Sequence, residues 1–170
     1  VILLKKMKHQ SDILALKYRP TDFKDLIGQE YLVETIQKSI ELNKIPNAYI
    51  FTGIRGVGKT TTARIVAKML NCTVFDQNNK PDLNNCDQAK AISEDRHPDV
   101  IEIDAASNTS VENAREIIEN VKYNPVLGKY KVYIIDEVHM LSKSAFNALL
   151  KTLEEPPPHS KFIFATTEIS

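Results

Sequence analysis

Between Gln29 and Asn43 the apolar residues Leu32, Val33, Ile36 and Ile40 recur at helical spacing. That pattern predicts an amphipathic helix, which Pro46 should end. The short apolar run "AYIFT" follows, then a glycine loop, then "TTTARIVAKML", a helix with Ile65, Val66, Met69 and Leu70 facing inward. Residues 71–97 are polar and rich in Asn, Asp and Pro, as expected of an inserted loop or small module. "DVIEID" (99–104) reads as a buried strand. Thr109 and Glu112 form a capping-box pattern that opens a helix running to about Tyr123. "KVYIID" (131–136) is a further strand. Ser142 caps a helix whose apolar stripe is Phe146, Leu149, Leu150 and Leu153, and "EEPPP" terminates it. "KFIFAT" (161–166) is the last strand. Strands alternating with helices predict an α/β fold: a parallel sheet with helices on both faces.

Composition narrows the function classes. A chain of 170 residues fits one domain, and 42% hydrophobic with 26% charged residues is ordinary for a soluble one. Lys+Arg and Asp+Glu both total 22, so no net charge favours nucleic acid, and any DNA contact must come from a local patch or a helix end. Two cysteines make no disulfide scaffold and suit a reducing, cytoplasmic setting. No apolar run approaches the ~18 residues that a membrane span needs. "VILLKKMKHQ" is not a signal peptide, because its charges follow rather than precede its four apolar residues. Residues 1–13 are expected to be a lead-in to a domain over 14–170. The start at Val1, with Met7 nearby, points to an upstream-extended start or a fragment.

"GIRGVGKT" (Gly53 to Thr60) fits G-x-x-x-x-G-K-[ST] in full, after a predicted strand and before a predicted helix. Gly53, Gly56 and Gly58 permit backbone angles and close approach that side chains would oppose. Successive N–H groups, those of Val57 and Thr61 included, can then address phosphate oxygens with help from the helix N-terminus. Lys59 supplies a positive charge to the β/γ-phosphates, and Thr60 offers its hydroxyl to Mg²⁺. Arg55, inside the loop, reads as a solvated charge.

"VYIIDEVH" (Val132 to His139) ends an apolar strand in two carboxylates. In an open α/β sheet such a strand end sits beside the phosphate loop. Asp136 is the candidate Mg²⁺ ligand, directly or through water. Glu137 is the candidate to orient or deprotonate the attacking water. His139 reads as partly buried packing or a polar contact at a helix start rather than a ligand. A hydroxyl in "FATT" (Phe164 to Thr167) could contact the γ-phosphate or position the water.

Taken together, "YRPTDFKDLIGQE" (Tyr18 to Glu30), "GIRGVGKTTTARIVAKMLNC", "IEIDAASN", "VYIIDEVHMLSKSAFNALLKTLEEPP" and "FIFATT" closely resemble the N-terminal ATPase domain of the bacterial DNA polymerase III gamma/tau family, the motor of the sliding-clamp loader. The match runs from about Leu14 onward. The resemblance implies a P-loop NTPase of AAA+ type, with ATP and Mg²⁺. The implied partners are the other clamp-loader subunits, the sliding clamp, the polymerase core and primed DNA, in a hetero-oligomer. It gives Asp136 and Glu137 the metal and water roles. It gives Thr167 the sensor role, with Thr166 the alternative, and Tyr18, Arg19 and Pro20 a place around the base.

Members of that family usually carry a four-cysteine zinc module after the first helix of the phosphate loop. Cys72 and Cys86 fall on two of those positions, while Leu83 and Ala89 hold the other two. Zinc prefers a closed tetrahedron, so residues 71–97 are expected to be a degenerate module without metal. Asn108 and Ser110 stand where the family often presents a cation to DNA, which predicts a shallower salt dependence. The chain stops before the family's arginine finger, last strand and helical lid. The truncation is expected to leave "AYIFT" as an exposed apolar edge and the chain alone weakly active or inactive. Two other readings stay open. One is a non-catalytic nucleotide-binding scaffold or truncated product. The other is a DExH-type helicase, since "DEVH" fits that box literally.

Overall fold

Val132 and Ile134 point to one side of the strand Lys131–Asp136, Tyr133 and Ile135 to the other, and all four are buried. A strand apolar on both faces needs a layer of helices on each side, and two such layers are present. The computed structural model describes residues 30–54, 56, 58–108 and 110–168. The elements run α1 (Glu30–Glu41), β1 (Ala48–Thr52), α2 (Lys59–Asn71), α3 (Asp87–Ser93), β2 (Val100–Asp104), α4 (Val111–Val121), β3 (Lys131–Asp136), α5 (Lys143–Glu154) and β4 (Ser160–Thr166). A 3-10 turn, Val138–Met140, follows β3. The lead-in, Tyr18, Arg19, Pro20, Arg55, Val57 and Thr109 lie outside the described residues.

The four strands are all parallel, in the order β1-β4-β3-β2. One core joins Ile36 of α1, Ile65, Val66, Met69 and Leu70 of α2, and Val132, Ile134 and Ile163 of the sheet. The other joins Ala114, Ile117 and Val121 of α4, Ala145 and Leu149 of α5, and Tyr133, Ile135, Phe162 and Phe164. Burying each Val, Leu, Ile, Met or Phe side chain among these stabilises by about 1.5–3 kcal/mol.

Four boundaries or faces differ from the pattern reading, each for a local reason. Helix α1 stops at Glu41, ahead of Pro46, because Asn43 turns left-handed (φ 52) and its N–H and that of Lys44 bond back to Ile40 and Ser39. Ser110 caps α4: its hydroxyl accepts from Asn113 N at 3.2 Å, and Glu112 lies in the first turn, while Thr109 of the expected capping box lies outside the described residues. Strand β2 begins at Val100, since the Asp99 carboxylate is drawn off to bond the backbone of the loop before β3. On α5 the buried positions are Ala145 and Leu149, with Leu153 packed beside them; Phe146 and Leu150 are each 38% exposed. The Ser142 cap, accepting from Ala145 N, phases the helix so that the i, i+4 row 145–149–153 meets the sheet.

Among the described residues β1 lies at an edge of the sheet, and its Ile50 is 67% exposed. Residues 71–97 are more than a loop. Phe75 and Pro81 form an antiparallel bridge, and α3 follows. Cys72, Leu83, Cys86 and Ala89 are all buried in the α2-side core.

Candidate active site

The strand order decides where the chemistry can sit. β4 lies between β1 and β3, so three C-terminal strand ends stand side by side: the phosphate loop after β1, the Thr166–Thr167 pair at the end of β4, and Asp136–Glu137 at the end of β3. Such a crevice, next to the point where strand order reverses, is where open α/β sheets bind ligands.

The loop's glycines are required by conformation. Gly53, Gly56 and Gly58 have φ of 147, 88 and 88, angles that side chains resist. A Cβ built at Gly56 or Gly58 meets nothing within 4 Å among the described residues, so crowding inside the protein is not the reason. Gly58 is the N-cap of α2 and leaves the first amides of that helix without a side-chain cap. Lys59 is only 8% exposed, and its Nζ donates to the carbonyls of Gly53 (2.8 Å) and Ile54 (3.0 Å). The ammonium is thereby folded over the loop that would receive phosphate. Thr62 donates to Gly58 O at 2.9 Å and secures the first turn of α2, and Thr61 is buried.

The decisive contact joins two separate elements. Thr60 Oγ1 donates to Asp136 Oδ2 at 2.5 Å, across 76 residues of sequence. A hydroxyl and a carboxylate converging at the mouth of a phosphate loop form a hard-oxygen donor pair of the kind Mg²⁺ takes alongside substrate phosphates. The residues present therefore fit ATP with Mg²⁺.

Glu137 adopts a left-handed conformation (φ 51, ψ 46), which turns its side chain off the strand. Its Oε2 accepts from Thr167 Oγ1 at 3.1 Å. Thr166, the last residue of β4, is engaged otherwise: its Oγ1 accepts from Glu168 N (3.1 Å) and lies 2.8 Å from His139 Nδ1. His139 thus makes a polar contact, one of the two roles expected for it. The sequence named Thr60, Asp136, Glu137 and Thr167 separately; the fold brings them to one crevice. The His139–Thr166 contact was not foreseeable without the β3–β4 pairing.

Both polar side chains at the head of α4 make local contacts. Asn108 Nδ2 donates to Asp104 O at 2.9 Å, and Ser110 Oγ caps the helix. The sequence also gave no notice of three structural contacts. Arg64 bonds Glu102 (2.6 Å) and Asp95 (3.2 Å), tying α2 to β2. Asn71 holds both the N–H and the carbonyl of Tyr130. Asp99 accepts from the amides of Val126, Leu127 and Gly128. Burial alone would raise the Asp99 carboxyl, but those three amides, with His97 nearby, bring it below the usual carboxylate range.

The cysteine module does not fit a four-ligand metal. Cys72 Sγ donates to Val74 O at 3.1 Å. Burial, and then the hydrogen bond to Cys86, push its thiol up, while, against burial, the same hydrogen bond helps to bring the Cys86 thiol down. Leu83 and Ala89 offer no donor, and His97 is occupied by Gln88 and by the amide of Asp99. No three His, Cys, Asp or Glu residues are grouped to hold a metal among the described residues.

A family model described as "DNA polymerase III, delta subunit" matches residues 28–170. The chain belongs to this DNA polymerase III family. Among its relatives, the DNA polymerase III subunit tau/gamma of Haemophilus influenzae is 52% identical over 156 residues, covering 92% of this chain and 22% of that protein. The subunit tau of Escherichia coli is 51% identical, with 92% and 24% covered. The subunit gamma of Buchnera aphidicola subsp. Schizaphis graminum is 53% identical, with 92% and 43% covered. The chain thus spans less than half the length of these relatives. Its fold is also that of a Thermotoga maritima DNA polymerase III gamma subunit-related protein (TM-score 0.50, 24% identity, 79% of this chain and 39% of that one). The Holliday junction branch migration motor RuvB of the same organism shares it too (TM-score 0.57, 18% identity, 89% and 42%). These likenesses show a shared fold, a parallel sheet with helices on both faces.

Proposed function

We propose that the chain is an ATP-binding and ATP-hydrolysing subunit of the DNA polymerase III clamp loader, which loads the sliding clamp on primed DNA during replication. The observation that carries this reading is the Thr60–Asp136 contact, because it closes the phosphate loop against the acidic strand end. In this reading the amides of the loop and of the α2 N-terminus, Val57 and Thr61 included, cradle the phosphates. Lys59 exchanges its two loop carbonyls for β- and γ-phosphate oxygens. Thr60 and Asp136 would hold Mg²⁺, which would supply positive charge to offset that of the phosphates. Glu137 orients the attacking water and takes its proton. Thr167 contacts the γ-phosphate, and Arg19 helps to enclose the base.

The partners in this reading are the other loader subunits, the sliding clamp, the polymerase core and primed DNA, in a cytoplasmic hetero-oligomer. Among the described residues no helix is long and apolar enough to cross a membrane. Residues 71–97 work without zinc, since Leu83 and Ala89 complete an apolar core where two ligands would stand.

The test compares Lys59→Ala with Glu137→Gln. Lys59→Ala should weaken ATP binding. Glu137→Gln should keep binding and lower turnover by about 10²-fold or more. Turnover should rise further with clamp and primed DNA together than with DNA alone. Equal loss of binding in both variants would refute the roles, and nucleotide binding with no turnover in any mixture would make the chain a scaffold.

A further inference from the structure

We propose that His139 is the positioning residue that registers the hydroxyl tip of β4 against the carboxylate tip of β3 and so sets the aim of Glu137. This rests on the reading of Glu137 as the group that activates water.

The left-handed backbone of Glu137 (φ 51) is strained for a residue with a side chain and is sustained only where neighbours hold it. On the main chain, Glu137 N donates to Asp136 Oδ1 (2.9 Å), and Met140 N donates to Glu137 O (2.8 Å) to start the 3-10 turn. That turn carries His139 across to β4. There the ring's Nδ1 stands 2.8 Å from Thr166 Oγ1 and 3.4 Å from Glu137 Oε2, so one nitrogen addresses both strand ends. The Thr166 hydroxyl in turn accepts from Glu168 N (3.1 Å), closing a tight turn over Thr167. Within that turn Thr167 Oγ1 reaches Glu137 Oε2 at 3.1 Å. The ring and the Thr167 hydroxyl therefore converge on one carboxylate oxygen, Oε2, and in this reading Oε1 takes the water. Side-chain volume alone would not do this. A phenyl ring in the same place would fill the space, yet leave Thr166 and Glu137 without the shared nitrogen.

The experiment uses the full gene product with the subunits that co-purify with it. Single-turnover ATP hydrolysis and nucleotide affinity are measured for His139→Phe, His139→Asn, Thr166→Val and Thr166→Ser. His139→Phe keeps ring volume and removes the nitrogen; His139→Asn restores a polar amide near the Nδ1 position. His139→Phe and Thr166→Val should slow turnover by about tenfold or more with KM and nucleotide affinity nearly unchanged. His139→Asn and Thr166→Ser should recover most of the rate. Wild-type turnover in His139→Phe would overturn the proposal. So would equal slowing in His139→Asn, or affinity falling in step with rate. Loss of the cooperative melt in both His139→Phe and Thr166→Val would assign the contact to folding and overturn it as well. An inactive wild type would instead sink the ATPase reading, and the positioning role with it; an active wild type beside an active His139→Phe sinks the positioning role alone.

Discussion

The Thr60 hydroxyl and the Asp136 carboxylate, 76 residues apart in sequence, meet at 2.5 Å on the rim of the phosphate loop. Neither residue belongs to the same strand or helix as the other, so the contact reports how β1 and β3 flank β4. If the pair serves a shared cation, the two side chains should act as one unit. Thr60→Val and Asp136→Asn should each abolish most of the dependence of ATP affinity on Mg²⁺, and the double variant should add little more. Titration of a fluorescent nucleotide with and without Mg²⁺ checks this. Full additivity would mean that the two residues serve different groups.

Asp99 and His97 predict an acid profile. The folded Asp99 carboxyl sits below its usual range. Its stabilisation is therefore complete above about pH 4, the unfolded value, and is lost as pH falls through the folded one. Burial, opposed in part by Asp99, holds His97 below its ordinary value. Neutral His97 is favoured in the folded state, so its contribution is present above about pH 6.5 and declines as pH falls toward the folded value. Urea denaturation from pH 7 to pH 3 should show both declines. Asp99→Asn should cost about 2 kcal/mol at pH 7 and remove the lower one. Stability that stays flat across the series would contradict the assignment.

The cysteine module supplies a third expectation. Protein purified without added metal should carry far less than one zinc per chain by plasma emission spectrometry, and a chelator should leave Tm unchanged. Leu83→Cys with Ala89→Cys supplies four thiols from positions that already share one core. That double variant should gain zinc and a higher Tm in its presence. One zinc per chain in the unaltered protein would refute the reading of this module.

The inward face of α5 gives a direct stability contrast. Leu149→Ala should cost about 2–5 kcal/mol, the usual range for emptying a buried leucine site. Leu150→Ala should cost under about 1 kcal/mol, because that side chain is 38% exposed. Chemical denaturation of the two variants decides it, and equal losses would restore the wider stripe.

Much of this was legible in the sequence because it rests on local pattern. Gly53 to Thr60 can be read as a phosphate loop without coordinates, and Val132 to Glu137 as an apolar strand ending in carboxylates. The α5 stripe reads too wide because three leucines and a phenylalanine share a broad arc, and only the Ser142 cap fixes which row meets the sheet. Asp99 was taken into a strand because its three amide partners lie 27 to 29 residues downstream. The His139–Thr166 contact needs the pairing of β3 with β4, which no spacing within either segment reveals.

The most direct measurement is a crystal structure of the chain with a non-hydrolysable ATP analogue and Mg²⁺. The account predicts loop amides and Lys59 Nζ on the phosphates and the metal about 2.0–2.2 Å from Thr60 Oγ1, with Asp136 beside it, directly or through one water. Asp136 and Glu137 turned away from the triphosphate would contradict it.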